Sequence, residues 1–228
     1  MKKGFRVVAS LMLTVVLFLF SGCTPENDES VQWVDLSLPS GVLWASCNVG
    51  ATTPTDYGNY YAWGETQPKS EYNLSTYKYY RSDDDGEGFT KYCFDSGFGY
   101  NGFTDSLATL QPSDNAAIAN CGEGARMPTY SEWEELADNT SQQWVYVDGV
   151  YGLQFVGSNG NSIFLPAAGC RKDGSLSGDG IGGAYWSSSL NTEHSNNAWF
   201  MNFSYDNITR WISHGRTEGY PVRAVRQK

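Results

Sequence analysis

Few residues in this chain could do chemistry, and those few stand far apart. There are two histidines, His194 and His214, and five cysteines, Cys23, Cys47, Cys93, Cys121 and Cys170. Nucleophilic catalysis needs a serine or cysteine held beside a base, and no serine here sits in a nucleophile-elbow pattern. The four cysteines after Cys23 include no CxxC pair, which argues against zinc, and they allow three disulfide pairings. Asp83, Asp84, Asp85 and Glu87 in "SDDDGEGF" offer the carboxylates that calcium takes, but such a run reads first as a solvated loop. Glu132, Glu134 and Glu135 lie near a helix start and read as a solvated face there. The remaining candidate is a binding surface. "AYWSSSLNTEHSNNAWFMNFSYDNITRW" (Ala184 to Trp211) sets aromatics among Asn and Ser. That mixture supplies rigid contact area with adaptable hydrogen bonds. Phe200, Asn202, Trp211, His214 and Arg216 are the candidate ligand-binding residues. Phe200 and Trp211 would stack, and Asn202 and Arg216 would fix polar groups.

The elements that must position these residues read as mostly β. Aromatics are 15% of the chain and glycine is abundant, which suits short strands and tight turns. Strands are expected at Val42 to Val49, Asn59 to Trp63, Trp144 to Val147, Tyr151 to Val156 and Ser162 to Leu165. More follow in "AYWSSS", "AWFMNFS", "ITRWIS" and "YPVRAV". Alternation in "AWFMNFS" puts Trp199, Met201 and Phe203 on a core face, with Phe200, Asn202 and Ser204 on a solvent or ligand face; Phe200 is apolar too, so the reverse assignment stays open. Two helices are expected. "PSDNAAIANCG" would start at a Ser113 cap, carry Asp114 in its first turn and stop at Gly122. "PTYSEWEELADN" has the capping-box pair Thr129 and Glu132, with Trp133, Leu136 and Ala137 turned inward.

The N-terminus reads as an export signal. Lys2, Lys3 and Arg6 precede an apolar run from Val7 to Phe20 that is short for a membrane span of about 20 residues. Ser21 and Gly22 before Cys23 resemble a bacterial lipobox, although Phe20 stands where leucine is usual. The expected organisation is a signal peptide over 1–22, an acidic tether over 23–31 and a single domain over 32–228. Lipid on Cys23 would make the chain an outer-membrane lipoprotein, and the polar, acidic "TPENDES" resembles a Bacteroidota surface-export signal. Losing the signal leaves 12 basic against 25 acidic residues, a net charge of −13. Such a charge opposes a phosphate backbone, so no nucleic acid is expected as a partner.

Five segments in order carry a wider resemblance: "DLSLPSGVLWASCNVGATTPTDYGNYYAWGE", "ARMPTYSEWEEL", "GNSIFLPAAG", "AYWSSSLN" and "YPVRAV". Together they resemble the Bacteroidota surface lipoproteins related to the Fibrobacter succinogenes major paralogous domain family. The resemblance implies an α+β, C-type-lectin-like fold with two short helices and antiparallel sheets. It assigns structural roles to Arg126, Pro128, Thr129, Trp133, Asn161, Pro166, Gly169 and the Tyr185 to Ser188 run. It also points to a Cys121–Cys170 disulfide, because these cysteines replace larger residues of the family. The function it implies is a non-catalytic ligand-binding or adhesion module with a protein or glycan ligand and no cofactor. A structural or tip subunit of a surface assembly is the alternative. "RMPTYSEW" also resembles the formylglycine-generating enzymes, but their late pair of copper-binding cysteines is missing. The calcium motifs of sugar-binding C-type lectins are missing too: "QPK" and "QPS" lack the carboxylate.

Overall fold

The computed structural model describes residues 32–122, 124–206 and 212–228. Cys23, its tether and Trp211 lie outside the described residues. In chain order come β1 (Trp33–Asp35), β2 (Leu43–Asn48), β3 (Tyr60–Tyr61), β4 (Tyr80–Asp83), β5 (Gly86–Phe89), α1 (Ala116–Cys121) and α2 (Tyr130–Asn139). Then follow β6 (Ser141–Val147), β7 (Val150–Val156), β8 (Ser162–Pro166), β9 (Ala168–Lys172) and β10 (Ser175–Asp179). The chain finishes with β11 (Gly182–Leu190), β12 (Asn197–Ser204), β13 (Ile212–Gly215), β14 (Tyr220–Pro221) and β15 (Arg223–Arg226). The fold is α+β, with few helices and many strands. One sheet runs β1-β2-β15, one β6-β7-β8, and a larger one β10-β9-β11-β12-β13. Most pairings are antiparallel; β9 beside β11 is parallel.

The helix starts follow from local hydrogen bonding. Thr129 Oγ1 accepts from the Glu132 amide at 3.2 Å, and the Glu132 carboxylate accepts from the Thr129 amide at 2.8 Å. This capping box fixes α2, and Trp133, Leu136 and Ala137 point inward as expected. Thr129→Ala should cost about 1 kcal/mol, read as a lower urea midpoint at unchanged slope. The glutamates of α2 are less solvated than their charge suggests: Arg126 grips Glu132, and Ser40 donates to Glu135 from its amide and hydroxyl. The cap of α1 is Asn115, not Ser113. Its Oδ1 accepts from Ala117 and Ile118, while Ser113 and Asp114 belong to a preceding 3-10 turn.

The acidic run is exposed, as expected, and Asp84 and Asp85 make a turn, but the run is more than a loop. It forms the β4–β5 hairpin, with Asp83 opposite Gly86. Gly88 makes this close packing possible, because a Cβ there would stand 2.4 Å from the Tyr100 amide nitrogen. Asp83 is occupied by Arg81 and by the Tyr100 hydroxyl at 2.7 Å. Among the described residues, no three His, Cys, Asp or Glu side chains converge as a metal site requires.

Two cores sandwich the β11–β12 pair. Tyr185, Met201 and Phe203 face one core with Trp44, Trp133, Leu153, Phe155 and Leu165. Trp186 and Phe200 face the other, built from Tyr60, Tyr61, Trp63, Tyr72, Tyr77, Tyr79, Phe89, Tyr92 and Tyr220. A strand pair covered on both sides is apolar on both sides, so alternation does not mark a solvent face there. This corrects the expectation for Phe200, which is buried. Met201 and Phe203 are core as expected. Trp199 is only partly buried and packs its ring 5.0 Å from that of Tyr130.

Buried polar groups tie the layers together. The Arg223 guanidinium donates to Asn48 Oδ1, the Ala45 carbonyl and the Phe164 carbonyl at 2.8–3.0 Å, joining β15, β2 and β8. Trp133 Nε1 donates to the Trp186 carbonyl, anchoring α2 on β11, and Trp186 Nε1 donates to the Tyr61 carbonyl. At the edge, β1 and β15 flank β2, and Lys228 Nζ donates to Asp35 at 2.8 Å.

Candidate late-strand groove

The five-stranded sheet carries a groove of about 360 Å³. Register places its floor: Asn202 pairs with Ala184, Phe200 with Trp186, and His214 with Ala198. Paired residues share a face, so Ala184, Phe200, Asn202 and His214 point the same way. Gly169 and Cys170 from β9, and Ser177 and Gly178 from β10, close one side; Tyr220 lies beneath. Small residues make the hollow. Gly169 has φ +60°, and a Cβ there would stand 2.2 Å from the Ser177 carbonyl oxygen. Only glycine lets β10 fold down against β9 at this point.

The structure therefore brings together three of the five residues expected to bind ligand: Phe200, Asn202 and His214. Phe200 enters as a buried floor, its ring 4.9 Å from that of Tyr220, rather than as a free stacking platform. Asn202 is partly exposed and His214 is exposed. Arg216 does not belong. It is 0% exposed, its guanidinium lies 3.8 Å from the centre of the Phe89 ring, and it donates to the Lys91 and Tyr92 carbonyls at 2.9 and 2.7 Å. Its charge type suggested surface; the side chain instead crosses the aromatic core.

Glu218 organises the polar end of the groove. Its Oε2 accepts from the Tyr220 hydroxyl at 2.9 Å and lies 3.3 Å from His214 Nδ1; its Oε1 lies 3.3 Å from Lys172 Nζ. Cys170 opens on the same hollow as a free thiol, so the expected Cys121–Cys170 disulfide is not formed. The two residues sit on different elements, Cys121 ending α1 and Cys170 mid-way along β9. Burial pushes the Cys170 thiol up and the Glu218 charge adds to this. That is the reverse of the shift that activates a cysteine nucleophile.

A second hollow, about 350 Å³, adjoins the first at Ile181 and is lined by Trp144, Tyr151, Gly180, Ile181 and Tyr205. Its origin is the β6–β7 hairpin. Trp144 and Tyr146 on β6 share a face with Tyr151, Leu153 and Phe155 on β7. Leu153 and Phe155 are buried in the core, whereas Tyr146 is 61% and Tyr151 47% exposed. The core-facing side of the hairpin thus continues past the end of the core into solvent. Tyr205 (73% exposed) and Ile181 (70%) form the opposite wall. The sequence pattern places Trp144, Tyr146 and Tyr151 in strands and gives them no binding role. One signal was there to use: positions 146, 151 and 205 are all tyrosine, whose hydroxyl tolerates water where phenylalanine would not. A roomier hollow of about 520 Å³ beside β4 and β5 is lined by Leu74, Tyr80, Arg81, Ser82, Ser75 and Glu87. Its charged lining suits a ligand pocket less than the mostly apolar late-strand groove with its few placed polar groups.

These features define an α+β domain of antiparallel sheets with a groove over its late strands. A family model described as a domain of unknown function (DUF8237) matches residues 154–225. That stretch runs from within β7 into β15 and contains the residues lining the late-strand groove, but not Trp144 or Tyr151. No curated protein matches the chain, and no solved structure does.

Proposed function

We propose that this chain is a surface-exposed outer-membrane lipoprotein, anchored through Cys23, that works as a non-catalytic ligand-binding or adhesion module on a C-type-lectin-like fold. The observation that carries the reading is the groove itself: Asn202 and His214, picked out by residue type, line one hollow with Phe200 as its floor and glycines and Ala184 around it. Two short α-helices among the described residues, and a sheet in which β2 lies between β1 and β15, support the fold. The raised Cys170 thiol, and a His214 ring facing Glu218 rather than a hydroxyl, favour binding over nucleophilic catalysis. The exposed ligand face is Asn202, His214 and the neighbouring cleft, with Phe200 as floor.

The test is binding of the full-length chain, in a detergent without a sugar headgroup, to printed glycan and extracellular-protein arrays. Asn202→Ala and His214→Ala run beside it. A hit weakened about ten-fold by either change, or about 1.4 kcal/mol, supports the groove, since only residues that carry binding energy cost that much when truncated. Hits indifferent to both changes count against it. No hit, together with concentration-dependent self-association in sedimentation, would favour a subunit of a surface assembly.

A further inference from the structure

We infer that the cleft between the β6–β7 hairpin and the end of β12 is a subsite for a neutral sugar unit, and that an uncharged oligosaccharide runs from it into the adjoining groove. The inference rests on the binding reading above and names its ligand class. Three observations carry it. First, three of the cleft's walls are aromatic rings, with Ile181 the one aliphatic side chain among the described lining residues. The Trp144 and Tyr151 rings lie 6.0 Å apart with only 15° between their planes, and Tyr205 stands edge-on to Trp144 across the opening. An aromatic face carries the negative side of its quadrupole, which suits the polarised C–H face of a pyranose, and tyrosine hydroxyls at the rim suit its hydroxyl groups. Second, among the described residues no charged side chain lines the cleft, and the chain is strongly acidic overall. Neither feature attracts an anionic ligand, and no cation among the described residues lies there to pair with one. Third, the size fits a small ligand. A volume near 350 Å³ is at the lower end for such sites. The five described residues that line it fall far short of the roughly 20–30 per side of a stable protein interface. Ile181 borders both hollows, so a chain of sugar units passing it would reach Asn202 and His214.

Tyr205 and Ile181 are exposed, so changing them leaves both cores intact. Trp144 packs on Phe203 and is a poor probe. The experiment is calorimetric titration of the full-length chain, in the same sugar-free detergent, with a panel of neutral hexasaccharides: gluco-, xylo-, manno- and galacto-configured. Tyr205→Ala, Ile181→Asp and the exposed-aromatic control Phe103→Ala, which lines neither hollow, are measured alongside, with and without chelator. The expected result is binding of at least one panel member, weakened about ten-fold by each cleft change. Phe103→Ala and chelator should leave it unaltered. Binding that survives both cleft changes, or that chelator abolishes, overturns the proposal. So does the absence of binding across the panel. If a protein-array hit sensitive to His214→Ala persists in that last case, the ligand class is wrong and the binding module stands.

Discussion

Arg216→Ala should lower the unfolding free energy by about 3 kcal/mol, and should do so without any ligand present. The side chain is fully buried, and its removal strips the Lys91 and Tyr92 carbonyls of their donors. Each buried acceptor left without a partner costs about 1–3 kcal/mol, and the vacated volume against Phe89 adds a cavity. Arg216→Met refills the volume but not the donors, so it should fall between wild type and alanine. Arg216→Lys keeps the charge but loses the planar fork that reaches two carbonyls at once, and should also be destabilised. Urea denaturation of the three variants is the check. An alanine variant as stable as wild type would mean that the arginine points out toward a ligand after all. The loss expected is a large share of the 5–15 kcal/mol that holds a typical domain together.

A second large effect is expected at Asp114. This carboxylate, 4% exposed, receives Lys91 at 2.6 Å, the Tyr92 hydroxyl at 2.7 Å and Lys78 at 3.2 Å. Burial alone would raise its pKa. The donors around it, Lys91 first among them, outweigh that and hold the carboxyl well below the ordinary carboxylate range. A pKa lowered on folding means that the folded chain binds the proton more weakly than the unfolded chain. The stability from this group is therefore complete above the unfolded value, about pH 4, and is lost as pH falls toward the folded value. Asp114→Asn keeps the shape but leaves Lys91 facing a neutral amide, at a cost of about 3 kcal/mol at pH 7. The substitution should also remove part of the acid dependence: the wild-type and variant curves should converge as pH drops below about 4. Urea midpoints measured from pH 7 down to about 3 would show this. Parallel curves would remove Asp114 as the cause.

How far the sequence could be read depended on which physics governed each residue. Local rules succeeded at α2, though they place the cap of α1 two residues early, at Ser113 instead of Asn115. Thr129 and Glu132 cap α2 because a capping box needs only residues three apart, and Trp133 is buried because helical spacing puts it inside. Long-range packing did not show. Phe200 was assigned outward because one face of a strand is normally wet, but β12 lies between two cores. Arg216 was assigned outward because arginine normally is, and nothing nearby in sequence announces Phe89, Lys91 and Tyr92 as its surroundings. The late-strand groove was partly legible, since Asn202 and His214 stood out by type. The aromatic cleft was not, because exposure of Tyr146 and Tyr151 depends on where the core stops beneath the β6–β7 hairpin. Asp114 was seen only as a first-turn acid, although its importance lies in what Lys78, Lys91 and Tyr92 bring to it from elsewhere.

The clasp at the domain's edge has a further meaning. The first and last strands flank the same neighbour, and Lys228 reaches Asp35, so the two ends of the described fold almost touch. A unit whose entry and exit coincide is a plug-in part. It can be strung in tandem, grafted into a loop of a host protein, or reconnected end to end and opened elsewhere, and its sheets keep their order. Evolution can reuse such a part without redesigning it, and an engineer displaying the groove on another scaffold needs only one point of attachment.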